Sequence, residues 1–317
     1  MKIVFMGTPA FAAVILESLV QQGRHEICGV VTLPDKPMGR GLKLTHSEVK
    51  KVAEKYHLPL LQPEKLRDEE FLTQLKRWGA DLFLVIAFRM LPEAVWKLPA
   101  KGTVNLHASL LPRYRGAAPI NRVIMNGEKE TGVTTFFINE KIDEGNLILS
   151  RSHAIAPDEN AGELHDALLS LGIPLVAESL DLIEKGGFVP CKQEMRPDLP
   201  TAPKIFRSDC RMDWRQSVHK LFNQVRGLSP YPGAFTMVRK TEGEEPLLLK
   251  IFKAKVVGNP DELPCGRIAT DNRHNLLIAA SDGCLQVEEL QLFGKRRMEV
   301  GEFLAGNKMF DGLNCEF

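Results

Sequence analysis

The sequence predicts an α/β protein: an open, mostly parallel sheet with helices on both faces, followed by a smaller β-barrel. Three observations carry that prediction. Apolar strand-like runs alternate with segments of helical period over roughly the first 180 residues, the pattern of a parallel sheet covered on both faces. A stretch with prolines at 190, 197, 200 and 203 then interrupts the periodicity, as an extended connector does. Beyond it the runs shorten into closely spaced strands separated by turn residues, which suits a barrel.

Taken in order, Lys2 to Met6 form a short β-rich run that Gly7 breaks, and Pro9 suits a first helical position because its φ is already fixed. Phe11, Val14, Ile15 and Leu19 then recur at helical spacing up to Gly23. EICGVVTL reads as the next strand, THSEVKKVAEKYH as a helix capped by Thr45 or Ser47, and LPLLQP as a short buried strand. DEEFLTQLKRWG is helical, and ADLFLVIAF and GTVNLHAS are further strands. GVTTFFIN and GNLILSRSHAI form a strand pair joined by a polar loop, before the long helix NAGELHDALLSLGIPLVAESLDLIEKGG. The expected organisation is a first domain over 1–189, a connector over 190–207 and a second domain over 208–317. That second domain opens with the helix RQSVHKLFNQVRGL and continues through PLLLKIFKAKVV, GRIATD, NLLIAA and CLQVEELQLF as strands.

Composition narrows the function classes. A chain of 317 residues, 44% apolar and 26% charged, is that of a soluble globular protein with two domains. Its 41 Lys and Arg balance 40 Asp and Glu, so any polyanion must be met by a local basic surface. MKIVFMGTPAF reaches Gly and Pro too soon for a signal peptide, and no run approaches about 20 apolar residues, so a cytoplasmic location is expected. Cys28, Cys191, Cys210, Cys265, Cys284 and Cys315 stand far apart with no CxxC pair, which points away from a redox motif or a structural metal site. HExxH, GxSxG and paired His at metal spacing are all absent from the sequence, and no metal is expected. GTPAFA lacks the further glycines that a dinucleotide needs, which disfavours a nicotinamide oxidoreductase.

The chemistry concentrates in NLHASLLPRYRGAAPI. Alternation along the strand puts Asn105, His107 and Ser109 on one face and Val104, Leu106 and Ala108 on the other. An amide and an imidazole then stand together near the carboxyl end of a strand, where open α/β sheets bind ligands. An imidazole suits proton transfer, and a fixed amide N–H can donate to a developing oxyanion. A carboxylate to orient the imidazole is available in NEKIDEGN as Asp143 or Glu144. A noncatalytic RNA-binding protein would leave the Asn105 and His107 pairing without a use.

At these residues the chain resembles the folate-dependent formyltransferases. FMGTPAFA, LPDKPMGRGLKLTHSEVK, NLHASLLPRYRGAAPI, IDEGN, SPYPGAF and LQLFGKRRM carry the resemblance over nearly the whole length. The central motif is specific to folate-dependent formyl transfer and its relatives, and the others narrow it to the branch acting on tRNA. The resemblance implies a Rossmann-like first domain using 10-formyltetrahydrofolate, and an OB-like barrel that helps hold initiator methionyl-tRNA. It also implies catalytic Asn105, His107 and Asp143, the last chosen over Glu144 by analogy alone. Ser109, Leu110, Leu111 and Pro112 match its folate-contacting segment. The basic insertion with Lys36, Arg40 and Lys43 matches the loop that engages the acceptor end, Arg40 falling on the key arginine. Lys204 and Arg207 in the connector, and Lys295, Arg296 and Arg297 near the end, are further candidates for RNA contact. A monomer is expected. Formylation of a small amino sugar or amino ribonucleotide, or hydrolysis of the formyl folate, would use the same three residues, but the insertion and the barrel favour tRNA. In one departure, Phe88 and Arg89 stand where the family commonly has Tyr-Gly; Arg89 thus replaces a residue free to adopt φ > 0, which bears on the local backbone and the pocket rim.

Overall fold

Lys2–Gly7 (β1) is buried along all but its first residue, as a central strand covered on both faces must be. A computed structural model describes residues 1–38, 43–239, 245–259, 262–307 and 310–316. After β1 come Ala10–Gln22 (α1), Glu26–Val31 (β2), Lys36–Met38 (β3), Lys43–Thr45 (β4) and Glu48–Lys55 (α2). Leu60–Leu61 (β5), Glu69–Arg77 (α3), Leu82–Ile86 (β6), Glu93–Trp96 (α4) and Thr103–His107 (β7) follow. Pro119–Met125 (α5), Glu130–Phe137 (β8), Leu147–Ala154 (β9) and Ala161–Lys185 (α6) complete the first part of the chain.

Sequence chemistry accounts for the boundaries. Ser47, rather than Thr45, caps α2 by accepting the Lys50 N–H at 3.0 Å, and Asp68 caps α3 by accepting the Phe71 N–H at 3.1 Å. Pro9 stands just before the first residue of α1 and its carbonyl accepts the Ala13 N–H. Gly7 ends β1 because a Cβ there would lie 2.7 Å from the Ala12 side chain and 2.9 Å from the Ile86 carbonyl. A larger residue would push the end of β1 away from β6 and α1.

The first compact unit comprises Met1–Gly116, Gly132–His153 and Ala167–Pro200. Its sheet runs β5-β2-β1-β6-β7-β8-β9, parallel from β5 to β7, with β8 antiparallel to β7. Strand order reverses direction between β1 and β6, which opens a crevice at the carboxyl ends of the parallel strands. On one face Val4, Met6, Phe83 and Val85 pack with Phe71 and Leu75 of α3 and Val95 of α4. On the other, Gly172 of α6 lets Leu106 approach so closely that a Cβ would meet its side chain at 2.9 Å. β3 and β4 form a separate antiparallel hairpin.

The second unit comprises Ala117–Thr131, Ala154–Asp166 and Thr201–Phe317. It contains a short 3-10 turn at Arg207–Cys210, then Val218–Leu228 (α7), Ala234–Arg239 (β10), Leu247–Val257 (β11) and Ile268–Thr270 (β12). Leu276–Ala279 (β13), Cys284–Leu292 (β14), Met298–Glu299 (β15), Val300–Gly306 (α8) and Asn314–Glu316 (β16) follow. The sheet order is β12-β13-β14-β11-β10-β16, and its assigned ladders are antiparallel. Its two edges meet: the Ile268 N–H donates to the Leu313 carbonyl at 2.9 Å, and the Cys315 N–H to the Gly266 carbonyl at 2.8 Å. The sheet is thereby nearly closed, which removes most unpaired edge. Inside, Trp214, Leu249, Ile251, Leu290 and Phe303 form the core, with the Trp214 indole N–H satisfied by Thr236 Oγ1 at 3.0 Å.

Candidate active site

The site starts from alternation along β7. Val104 and Leu106 are buried on one face. Thr103, Asn105 and His107 share the other, where Thr103 Oγ1 donates to the Trp96 carbonyl of α4 at 2.7 Å. Asn105 is level with Val85 of β6 and Phe136 of β8, half-buried, and its amide has no hydrogen-bond partner among the described residues. A positioned amide with free donors is what an oxyanion requires.

His107 is 7% exposed, and its Nε2 lies 2.8 Å from the Tyr114 carbonyl. A carbonyl only accepts, so Nε2 carries a hydrogen and donates it. Nδ1 therefore points the other way, to Asp143 Oδ2 at 3.8 Å. That is too long for a hydrogen bond.

Residues 107–116 hold this imidazole by folding back on themselves. The Ser109 hydroxyl donates to the Arg113 carbonyl at 2.7 Å. Thr134 Oγ1 of β8 donates to the Ser109 carbonyl and accepts the Leu111 N–H at 3.2 Å. Tyr114, at φ +58°, donates its N–H to the Pro200 carbonyl at 2.7 Å while offering its own carbonyl to His107. The segment after the strand thus builds a turn in which the Tyr114 carbonyl orients the His.

The two neighbouring carboxylates separate. Asp143, at φ +54°, accepts the Gly116 N–H at 2.9 Å with the same Oδ2 that faces His107. Glu144 instead pairs with Arg115 at 2.9 Å and with Lys141 at 3.6 Å. Gln193 was not foreseen from the sequence: its buried amide donates to the Asp143 carbonyl at 2.9 Å and to the Gly145 carbonyl at 2.8 Å. Nothing near it in the sequence signals that task, since it lies 50 residues beyond Asp143.

Of the segment expected at the folate, Ser109 is fully buried and Leu111 nearly so, which leaves Leu110 and Pro112 as its half-buried members. Arg89 does not adopt positive φ; Ala87 does, at +46°. The Arg89 guanidinium donates to the Glu64 carbonyl at 2.7 Å and to the Pro63 carbonyl, and partial burial lowers its pKa from the ordinary arginine value.

The basic candidates scatter. Lys36 is exposed at the start of the β3–β4 hairpin, whereas Arg40 and the Lys43 side chain lie outside the described residues. Lys204 and Arg207 are exposed beside aromatic rings. Lys295 is exposed in the turn after β14; Arg296 pairs with Glu302, and Arg297 with Glu289. Those two arginines have much of their charge already balanced. Among the described residues, His25, Asp181 and Glu184 are close enough together to hold a metal. There the amino terminus already neutralises Glu184 and Arg24 neutralises Asp181.

A free amide donor, an oriented imidazole and a carboxylate beside its Nδ1 can support acyl transfer, in which an oxyanion develops and a proton must move. The chain belongs to the formyl transferase family: residues 1–179 match the formyl transferase domain and residues 204–308 the formyl transferase C-terminal domain. It is 47% identical to a methionyl-tRNA formyltransferase from Bacteroides thetaiotaomicron, over 98% of this chain and 97% of that one. Among solved structures it is similar to HypX from Aquifex aeolicus in complex with tetrahydrofolic acid, with a TM-score of 0.61 at 20% identity, over 96% of this chain and 47% of that one. It is also similar to an N-formyltransferase from Helicobacter canadensis in complex with folinic acid and dTDP-3-aminofucose, with a TM-score of 0.64 at 17% identity, over 94% of this chain and 100% of that one. No helix among the described residues is long and apolar enough to cross a membrane.

Proposed function

We propose that this chain transfers the formyl group of 10-formyltetrahydrofolate to the α-amino group of methionine on initiator methionyl-tRNA. The observation that carries the reading is the convergence of Asn105, His107 and Asp143 at the carboxyl end of β7, in a chain whose full-length relatives are methionyl-tRNA formyltransferases. The amine nitrogen attacks the formyl carbon, the bond from that carbon to N10 breaks, the amine loses a proton and N10 gains one. The Asn105 amide donates to the oxygen that gains charge as the carbon becomes tetrahedral. His107, anchored through its Nε2–H, uses Nδ1 to move the proton, and Asp143 stabilises the imidazole while it is charged. No step requires a metal, because the formyl on a weakly basic aromatic amine nitrogen is already activated.

Ser109 to Pro112 border the folate, with Leu110 and Pro112 supplying side-chain surface and the buried Ser109 shaping the turn. On the RNA side, Lys36, Arg40 and Lys43 engage the acceptor end, and Lys204, Arg207, Lys295, Arg296 and Arg297 contact phosphates. The first domain holds the folate and the second the tRNA; the protein acts as a cytoplasmic monomer.

The test is direct: incubate the chain with 10-formyltetrahydrofolate and methionyl-tRNA of initiator or elongator type, and assay N-formylmethionyl product. Asn105→Ala should lose about 10²- to 10³-fold in turnover while folate affinity stays unchanged. Arg40→Leu should weaken use of tRNA and spare folate affinity. No product from the unaltered protein, with an active donor, would refute the reading.

A further inference from the structure

Within the second unit, four separated segments and the turn after β14 enclose a cleft of about 600 Å³ whose lining includes no acidic residue. Three aromatic rings stand at it and remain largely exposed: Phe206 at 60%, Tyr231 at 82% and Phe293 at 79%. Exposed rings gathered on one surface are unfavourable in water and mark a site that something covers. Three cations share the lining, Lys204, Arg207 and Lys250, and none has a carboxylate partner among the described residues. The Lys204 ammonium lies 5.8 Å from the centre of the Phe206 ring, and the Arg207 guanidinium 5.8 Å from that of Phe235. Lys250 donates to the Pro232 carbonyl at 2.7 Å, a neutral acceptor that leaves its charge unbalanced. Arg296 and Arg297, by contrast, each have a carboxylate partner, Glu302 and Glu289.

Flat exposed rings and unbalanced cations in one cleft ask for a ligand with both a π-face and a negative charge. An acidic peptide would use the cations and leave the rings wet; an apolar segment would cover the rings and bury the charges unpaired. A nucleotide satisfies both, provided its base is unpaired, since a base within a duplex hides its faces in the stack. We propose that this cleft binds an unpaired nucleotide of the RNA substrate, its base stacked on Phe206, Tyr231 or Phe293 and its phosphate held by Lys204, Arg207 and Lys250. The proposal rests on the reading of tRNA as substrate, and adds the form in which part of that RNA is recognised.

The experiment titrates the full chain with a short single-stranded RNA carrying one 2-aminopurine, whose fluorescence is quenched on stacking. Unaltered protein should quench it, and a fully paired duplex of the same sequence should bind more weakly. Phe206→Leu and Phe293→Leu keep apolar bulk at exposed positions and remove only the π-face; each should weaken binding by about fivefold to a hundredfold and reduce the quench. Lys204→Gln should lower the slope of log affinity against log salt by about one. Equal affinity of the Leu variants, or equal affinity for the duplex, would overturn the inference. So would a change in the oligomeric state of the free protein on Phe293→Leu, which would mark the cleft as an interface between copies. The titration needs neither donor nor turnover, so a chain that formylates but whose Leu variants bind RNA normally loses this inference alone. A chain that quenches the probe but forms no formyl product loses the reading of its activity.

Discussion

Gly145→Ala isolates how the Asp143 loop is held. A Cβ on Gly145 would stand 1.6 Å from the Phe137 carbonyl oxygen, where real Cβ atoms keep at least 3.0 Å. The clash is with backbone, so no side chain can rotate out of the way, and relief requires a movement of about 1.4 Å, the gap between those two distances. Gln193 grips the loop at the Asp143 and Gly145 carbonyls, so the movement carries Asp143 with it and disturbs its contacts to Gly116 and His107. Misplacement of about 1 Å at a reacting site can cost about 10²-fold in rate. Turnover of N-formylmethionyl product should fall by at least that factor. Circular dichroism and a thermal melt would show whether the fold survives. Gly258→Ala is the control, since a Cβ there meets nothing within 4 Å, and it should keep full turnover. Gly145→Ala with normal turnover would refute the claim that this glycine positions the carboxylate.

Other expectations follow from single contacts. Asp35 lies well below the usual carboxylate range, first through the hydrogen bond from Lys50 and then through those from Gln62 and His46. Its folded pKa being depressed, its contribution is present above the unfolded value of about 4 and is lost as pH falls through the lower folded value. Asp35→Asn should therefore be less stable than the unaltered protein at pH 7, with the gap narrowing in chemical denaturation below about pH 4; a constant gap would contradict the linkage. Arg89→Ala should lower stability by about 1–3 kcal/mol, because the Pro63 and Glu64 carbonyls lose charged donors, and a melt unchanged within error would sink that account. In native protein a maleimide should label exposed Cys191 well before Cys315, whose thiol burial pushes up to about 12; mass spectrometry after a short pulse reads the order.

What was legible in the sequence, and what was not, divides by the range of the cause. β7 could be read because its cause is local: alternation separates Val104 and Leu106 from Asn105 and His107 whatever surrounds the strand. The choice between Asp143 and Glu144 could not, since both are acidic residues of one turn. Their directions are set by Gly145 against the Phe137 carbonyl, by Gln193 and by Arg115, which no periodicity connects. The β3–β4 hairpin escaped notice because three-residue strands rich in Lys and Pro carry no alternation to detect. Arg89 shows the limit of analogy in the other direction: the positive φ falls two residues earlier, at Ala87, and leaves Arg89 an ordinary backbone from which to brace Pro63 and Glu64. Phe206, Tyr231 and Phe293 would each pass in a sequence for core residues. Only the closure of the second unit reveals that its interior is already filled by Trp214, Phe303 and Phe310, so that these three rings are left outside among unbalanced cations. An apolar residue becomes informative about function when the fold has a full core and still leaves it out.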